Sequence, residues 1–335
     1  MASPLVGIFY NMVPDIGGHS GLKRRQFISA SLSMLLASPA RSAEPLDDIP
    51  IIDTHVHLFD GRRPQGAPYR GSAQWAQESG GVALPSTYRP YANPLNIVGA
   101  IEVEASPWVE DNLWVLEQME TDPLFVGTIG DLEPEKENFV ELFDRYRKNP
   151  LFLGLRCGNL WGRRLAAQLN DRGFLDGLRH LAEAEMVMDA ADPSMDLLQA
   201  VVRVSDAVPN LRIVLDHLPG FDPIPQERGA YDALLREFGV RPQIYAKLSG
   251  VERRPVRGLA ANLEKLDMML NVFGEDRVLF GTDWPNSWGR ATPAEIVSLA
   301  RSYFATRSRV AAEKFFWKNS LVAYRWHKRA PNQPG

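Results

Sequence analysis

After residue 48, short apolar runs alternate with longer amphipathic segments, and this alternation limits the possible folds more than any other feature of the chain. Near-continuous apolar character over a short run is typical of parallel strands that are buried on both faces. Eight such runs occur, at 49–55, 97–105, 124–132, 151–158, 186–192, 212–217, 244–250 and 278–284. Eight strands that alternate with helices over about 280 residues predict an α/β fold, the (β/α)8 TIM barrel. A doubly wound parallel sheet is the alternative, but it gives no reason for eight repeats.

The segments between these runs carry apolar residues at helical spacing. Helices are predicted at 108–121, 136–148, 163–185, 194–207, 229–238, 259–273, 293–305 and 309–325. The exception is the segment 60–96, which carries five prolines and is predicted to be a functional loop or lid. The sequence shows no linker and no internal repeat, so we predict a single domain over residues 44–330.

The first 43 residues have the layout of an export signal. Residues 23–25 are basic, residues 27–37 are weakly apolar, and cleavage is expected near Ala40 or Ala43, where small residues lie. The letters RRQF at 24–27 resemble a twin-arginine signal, which a receptor recognises. We therefore predict an exported, periplasmic protein that uses the twin-arginine export machinery. A frayed N-terminal helix is the alternative.

The bulk composition excludes several classes of function. The net charge is −4 and no long basic stretch occurs, so nucleic-acid or anionic-membrane binding has no electrostatic support. No apolar run reaches the roughly 18 residues that a membrane span needs. The single cysteine, Cys157, cannot form an intrachain disulfide or a cysteine-rich zinc site. A small-molecule substrate is the expected partner.

Histidine and aspartate residues stand at three of the predicted strand ends, where a barrel of this kind assembles its active site. Strand 1 ends in His55 and His57, whose side chains point the same way because residues i and i+2 of a strand share a face. Strand 6 ends in Asp216 and His217, and strand 8 carries Asp283. A lone His-x-His pair is more often structural, so the prediction of a reaction centre depends on the combination.

The letters DTHVHLFD, LDHLPG and LFGTDWP, in this order, resemble the amidohydrolase superfamily. More narrowly, residues 49–326 are similar to the amidohydrolase-related branch of sugar lactonases and pyrone-dicarboxylate lactonases. The resemblance implies that His55 and His57 are metal ligands. It also implies that Asp283 binds the metal or takes the proton from the attacking water, and that His217 is the catalytic histidine of strand 6.

The chain departs from the two-metal members of this superfamily at two strands. Those members carry a carboxylated lysine or a glutamate at the end of strand 4, where this chain has Arg156. They also carry a histidine at the end of strand 5, and this chain has none there; His19, His180 and His327 lie elsewhere. We therefore expect either one divalent metal ion, with zinc favoured, or a site that works without metal.

Further polar and aromatic residues near the strand ends are candidates for substrate binding. Arg156, Lys247 and His217 are candidates for binding the oxyanion. Arg156 is also a candidate for binding a substrate carboxylate, and Glu104 for facing the pocket. The aromatic candidates for stacking on a sugar ring are Trp108, Trp161 and Trp284. Internal salt bridges are the alternative for the charged residues, and rim packing is the alternative for the tryptophans.

The sequence favours a hydrolase that opens the lactone of a sugar acid or a similar small organic acid, with Asp283 as general base near His55 and His57. Metal-dependent, non-oxidative decarboxylation is the second enzymatic hypothesis, against which the missing strand-5 histidine counts. The third hypothesis is an exported binding protein without turnover. The fold alone does not discriminate among the three.

Overall fold

The computed structural model describes residues 45–253 and 259–335, and it contains all eight predicted strands. The strands are β1 (Ile51–Val56), β2 (Phe59–Asp60), β3 (Val82–Ala83), β4 (Ile97–Val103), β5 (Phe125–Gly130), β6 (Phe152–Gly158), β7 (Val187–Ala191), β8 (Arg212–Leu215), β9 (Ile244–Lys247) and β10 (Val278–Leu279). Strands β1 and β4 to β10 form one parallel sheet in chain order, whereas β2 and β3 pair as a separate antiparallel ribbon. Every residue of β4 and β6 is buried, which explains why each strand is apolar except for one charged residue, Glu102 in β4 and Arg156 in β6.

Hydrogen bonds between the last and first strands of the sheet bring the barrel close to closure. The amide of Thr54 donates to the carbonyl oxygen of Phe280 at 3.0 Å, and the amide of His57 donates to that of Trp284 at 2.9 Å. The amide of Asp283 donates to the carbonyl oxygen of His55, also at 2.9 Å. The predicted TIM-barrel architecture is therefore observed, and its seam places the end of strand 1 beside Asp283.

Outside the segment 60–96, the helices match the predicted segments with two differences. The helices are α1 (Ala73–Ser79), α2 (Pro85–Ala92), α3 (Val109–Glu120), α4 (Phe139–Tyr146), α5 (Leu165–Gln168), α6 (Arg172–Glu183), α7 (Met195–Ala207), α8 (Arg228–Gly239), α9 (Leu259–Phe273), α10 (Pro293–Phe304), α11 (Arg309–Glu313) and α12 (Asn319–Tyr324). The predicted helix 163–185 is two helices, because Asp171 starts α6 as its N-cap and accepts a hydrogen bond from the amide of Gly173 at 2.8 Å. A π-helical stretch, Lys314–Lys318, interrupts the predicted helix 309–325.

The proline-rich segment 60–96 is more regular than the predicted loop. It contains α1, α2 and β3, and Pro85 occupies the first turn of α2, where a missing N–H costs nothing. The side chain of Trp75 on α1 packs against Trp284, with ring centroids 5.0 Å apart, and Tyr88 on α2 does so at 4.8 Å. The segment is thus anchored by aromatic packing beside Asp283.

The predictions for residues 1–43 lie outside the described residues, so the export signal and its cleavage near Ala40 or Ala43 stay predictions. In the part of the chain that the structure describes, no helix has both the length and the apolar character needed to cross a membrane.

Candidate active site

The centre of the site consists of two imidazoles that converge on one carboxylate oxygen. The Nε2 atom of His57 lies 3.3 Å from Oδ1 of Asp283, and Nε2 of His55 lies 3.6 Å from the same oxygen. All three side chains are buried. The structure therefore brings together the three residues that the sequence singled out as metal ligands.

Asp53 joins the two strands that carry this trio. Its Oδ1 accepts hydrogen bonds from the amides of His55, at 3.1 Å, and Thr282, at 2.9 Å. Its Oδ2 accepts from the hydroxyl of Tyr88 at 2.6 Å and from Oγ1 of Thr282. Because His55 and the residue preceding Asp283 are tied to one buried carboxylate, the spacing between imidazole and base is fixed by the fold.

The donor set fits a divalent cation. Nδ1 of His57 lies 2.7 Å from the carbonyl oxygen of Val103, so Nδ1 carries the proton and Nε2 presents its lone pair toward Asp283. Nε2 of His55 is buried and has no hydrogen-bond partner among the described residues. These two nitrogens and a carboxylate oxygen of Asp283 lie within 4.8 Å of one another. Imidazole nitrogen and carboxylate oxygen are ligands that suit zinc and similar ions.

The far side of His55 is held by a buried ion-pair network. Its Nδ1 lies 3.4 Å from Oδ1 of Asp216 and 3.3 Å from Nζ of Lys247. Burial, together with the charge of Lys247 and against the opposing effect of Asp216, lowers the pKa of His55 to about 3. The imidazole is therefore neutral, which is the state that binds a metal.

Asp216 is the shared partner of two cations. Its Oδ1 lies 3.0 Å from Nζ of Lys247, and its Oδ2 accepts from Nε of Arg156 at 3.0 Å. Burial would raise the pKa of this carboxyl, but Lys247, His55 and Arg156 together hold it well below its ordinary value. Asp216 therefore stays ionised and fixes both cations under the site.

A cavity of about 290 Å³ opens beside the trio, and His57 is the member of the trio that lines it. Among the predicted residues, its lining includes His57, His217, Arg156, Glu104 and Trp161. This volume accommodates a small cyclic molecule, and the lining mixes aromatic, cationic and acidic groups.

His217 reaches the cavity from the end of β8 through a left-handed backbone conformation, with φ 57°. Its Nε2 lies 4.0 Å from Oδ1 of Asp283 and 3.5 Å from Nη2 of Arg156. Gly250 makes this placement possible, because a Cβ there would lie 2.7 Å from Cβ of His217. The imidazole therefore lies between the base candidate and the guanidinium.

Glu104 and Trp161 form one wall of the cavity. Oε2 of Glu104 accepts from the indole Nε1 of Trp161 at 3.1 Å and from the amide of Ser106 at 3.0 Å, while Oε1 lies 3.5 Å from Nη1 of Arg156. Burial raises the pKa of Glu104 to about 7, against the lowering effect of Arg156. The carboxyl is thus poised to change charge near neutral pH.

Two residues that the sequence proposed as substrate contacts do not line the cavity. Lys247 is fully buried below His55, where Asp189 and Asp216 neutralise its charge, so it does not reach the cavity. Trp284 is also fully buried, because it packs against the aromatic side chains of the segment 60–96. Trp108 is 37% exposed and is not among the described residues that line the cavity, so its role in binding stays a prediction.

Asn286 and Tyr69 are among the cavity residues that were missed at the level of the sequence. Nδ2 of Asn286 donates to Oδ2 of Asp283 at 2.9 Å, and the ring of Tyr69 lies 5.5 Å from that of His57. Asn286 follows Asp283 by three residues in a turn, so a local signal was present. Tyr69 comes from the segment 60–96, where it ends the stretch RPQGAPY, but it was not singled out as a site residue.

The sequence profile of the amidohydrolase family matches residues 52–326, and the chain belongs to this family. The resemblance drawn from the histidine and aspartate motifs is therefore confirmed. The chain is similar to an L-fucono-1,5-lactonase of Burkholderia multivorans, with 26% identity over 284 residues that cover 79% of this chain and 92% of the relative.

Solved structures show the same fold. An amidohydrolase from Burkholderia multivorans with bound zinc has a TM-score of 0.73 and 23% identity, covering 83% of this chain and 100% of that one. A more distant match is 5-carboxyvanillate decarboxylase from Sphingomonas paucimobilis, with a TM-score of 0.59 and 14% identity, covering 83% and 100% of the two chains. Hydrolases and a decarboxylase thus share this architecture.

Proposed function

We propose that this protein is a lactonase that opens the ring ester of a sugar acid or a similar small organic acid by attack of water. The single observation that carries the proposal is the Asp283 carboxylate, held against His55 and His57 beside a cavity of about 290 Å³ that His57 lines. The similarity to a lactonase over most of both chains supports the substrate class.

Asp283 is the general base in this proposal. Asn286 holds Oδ2, so Oδ1 is the oxygen that faces the imidazoles and accepts the proton of the attacking water. The water oxygen bonds to the lactone carbonyl carbon, the ring C–O bond then breaks, and Asp283 returns the proton to the departing alkoxide. The product is the open hydroxy acid.

Arg156 stabilises the negative charge that develops on the carbonyl oxygen. Its Nη2 lies at the cavity beside Nε2 of His217, which orients it, and Asp216 fixes the other end of the guanidinium through Nε. The attraction of Asp216 and Glu104 outweighs burial and raises the pKa of Arg156, so the donor is charged at every working pH.

One divalent ion, with zinc as the candidate, would be held by His55, His57 and Asp283. When bound there, it supplies Lewis-acid polarisation of the carbonyl and lowers the pKa of the nucleophilic water. The neutral state of His55 and the lone pair of His57 toward Asp283 support this assignment. Trp161 offers an aromatic face to the sugar ring at the cavity wall.

Decarboxylation is the second candidate, because a decarboxylase shares the fold. Strand β7 argues against it, since it carries no histidine. Its residue that approaches the centre is Asp189, which is engaged by Lys247 and Tyr324. The third candidate is an exported protein that binds a ligand without turnover. The position of the Asp283 carboxylate beside two imidazoles argues against it, because binding alone does not need a base there.

A panel of sugar-acid lactones tests the proposal directly. The full chain is mixed with each lactone in weak buffer, and proton release is followed with an indicator, before and after chelation. If chelation abolishes ring opening and added zinc restores it, the result supports a lactonase with one metal ion. If ring opening survives chelation, the result supports a lactonase that uses Asp283 as base without a metal. If no lactone is opened while 5-carboxyvanillate loses CO2, the decarboxylase is correct and the proposal is wrong.

The twin-arginine letters at 24–27 support a further proposal, that the protein is exported to the periplasm. Cell fractionation with N-terminal sequencing tests this. A periplasmic chain cleaved near Ala40 or Ala43 is expected, and a chain found only in the cytoplasm with an intact N-terminus would contradict it.

A further inference from the structure

Arg156 is the only arginine or lysine among the described residues that line the cavity, so it is the one fixed cation available to bind an anionic substituent there. Bidentate recognition of a carboxylate requires two neighbouring N–H groups along one edge of the guanidinium. Whether such an edge is open decides which lactones the cavity can accept.

Both edges of the Arg156 guanidinium are engaged. Nε donates to Asp216 at 3.0 Å, and Nη1 faces the carbonyl oxygen of Glu104 at 3.4 Å and its Oε1 at 3.5 Å. One hydrogen of Nη2 faces His217. The N–H that is left is the donor for the reacting carbonyl oxygen in the proposed mechanism. Arg156 therefore has no pair of donors for a second carboxylate.

The charge around the cavity also opposes an anion. Lys247 and Arg156 are the two cations of the buried ion-pair network, and they pair with three carboxylates, those of Asp189, Asp216 and Glu104. A fourth carboxylate, that of Asp283, lies beside the histidines of the same site. A divalent ion at the histidine pair would at most balance this excess. Anionic groups brought into such a site meet like charge at short range, which costs several kcal/mol.

Glu104 is the carboxylate of this network that lies in the cavity wall. Trp161 and Ser106 both donate to its Oε2, which leaves Oε1 as the oxygen that faces Arg156 and the cavity. A carboxylate oxygen in this position accepts a hydrogen bond from a sugar hydroxyl and repels a carboxylate.

From this geometry we infer that Glu104 is a specificity-determining residue: it selects lactones whose ring substituents are hydroxyl groups and excludes lactones that carry a second carboxylate. The inference rests on the proposed lactonase function and narrows its substrate class to uncharged, polyhydroxylated lactones. It also corrects the prediction that Arg156 binds a substrate carboxylate, since its donors are already engaged.

The test uses matched lactones that differ only in one terminal group. D-glucono-1,4-lactone and D-glucaro-1,4-lactone carry CH2OH and COO⁻ at the same carbon, and the galactono and galactaro lactones form a second pair. For each pair, kcat/KM is measured with the full chain at pH 8. We expect the aldonolactone to be preferred by about 100-fold, in keeping with like-charge repulsion of several kcal/mol.

The variant Glu104→Gln keeps the size of the side chain and removes its charge. We expect the preference for the aldonolactone over the aldarolactone to shrink by about tenfold or more, because kcat/KM for the aldarolactone rises. Glu117→Gln is the matched control, because Glu117 is exposed on α3, and it should leave the preference unchanged.

The wild-type pH profile gives a second readout that does not depend on the variant folding. Because the pKa of Glu104 is about 7, the ratio of kcat/KM for the aldonolactone to that for the aldarolactone should be smaller at pH 6, where the carboxyl is protonated, than at pH 8. The charged groups that face Glu104 are Arg156, Asp131, Arg163 and Glu102.

The outcomes separate the two proposals. If lactones are opened but both members of a pair have kcat/KM values within about threefold at pH 8, the inference about Glu104 is overturned and the lactonase stands. An unchanged preference in Glu104→Gln overturns it equally. If no lactone of either kind is opened, the lactonase proposal fails and the inference fails with it.

Discussion

The buried residue Glu102, which lies on β4 two residues before Glu104, gives the sharpest prediction about stability. The side chain is fully buried, the hydroxyl of Thr128 donates to its Oε2, and its Oε1 has no hydrogen-bond partner among the described residues. Burial raises the pKa of Glu102 to about 8 from an ordinary value of 4.5, so the folded protein keeps this carboxyl protonated at pH 6 and the unfolded chain does not.

The consequence for stability follows from proton linkage. Between pH 4.5 and pH 8 the folded state binds more protons than the unfolded state, so the free energy of unfolding falls as pH rises. The fall is about 1.4 kcal/mol for each pH unit up to the folded pKa, and it levels off above it. Between pH 6 and pH 9 Glu102 alone therefore removes about 3 kcal/mol of stability.

Glu102→Gln removes this dependence, because the amide stays neutral and still accepts from Thr128. The assay is urea unfolding of wild type and variant at pH 6, 7.5 and 9. The difference in free energy of unfolding, variant minus wild type, should rise by about 3 kcal/mol over this range. Glu117→Gln, at an exposed site, should show no such rise. A difference that changes by less than about 0.5 kcal/mol between pH 6 and pH 9 would refute the reasoning.

Three further predictions concern the site. Asp216→Asn should lower the free energy of unfolding, measured by urea titration, by about 3 kcal/mol, because it removes the carboxylate that pairs with two buried cations. Asp206→Asn, at an exposed ion pair, is the control and should lower it by less than about 1 kcal/mol. Zinc at saturating concentration should raise the melting temperature by several degrees in a calorimeter, and His57→Ala should abolish that rise; an equal rise in both would place the ion elsewhere. Trp161→Ala should raise KM for a lactone about tenfold with kcat changed less than about threefold, and a fall in kcat alone would exclude a stacking role in substrate binding.

The fold was predictable because parallel strands that are buried on both faces consist mainly of apolar residues and can be recognised as apolar runs in the sequence. All seven residues of β4 and of β6 are buried, and each strand appears in the sequence as a near-continuous apolar stretch with a single charged residue. The strand ends were harder to place. The run 278–284 forms a regular strand only at Val278–Leu279, because the residues that follow it bend to make single hydrogen bonds to β1.

The trio of His55, His57 and Asp283 was predictable because strand ends of a barrel meet at one mouth. The depth at which a charged side chain lies within the barrel was not predictable. Lys247 stands at a strand end like Arg156, but its ammonium group is drawn below His55 by Asp189 and Asp216. Such ion pairs join residues about 30 to 60 positions apart, and periodicity in the sequence carries no information about them.

Trp284 was misplaced for a similar reason. It follows Asp283 directly, which suggests a position at the rim, but helices of the proline-rich segment cover it with Trp75 and Tyr88. The same segment supplies Tyr69 to the cavity. The contribution of this segment depends on how its two helices pack, which local residue preferences do not determine.

The central claim is that Asp283 acts as the base that activates water at the histidine pair, and one variant tests it most directly. Asp283→Asn keeps the shape of the side chain and removes the proton acceptor, so kcat for the best lactone should fall by about 100-fold or more. The circular dichroism spectrum should remain that of the wild type. Normal lactone opening by Asp283→Asn would contradict the mechanism.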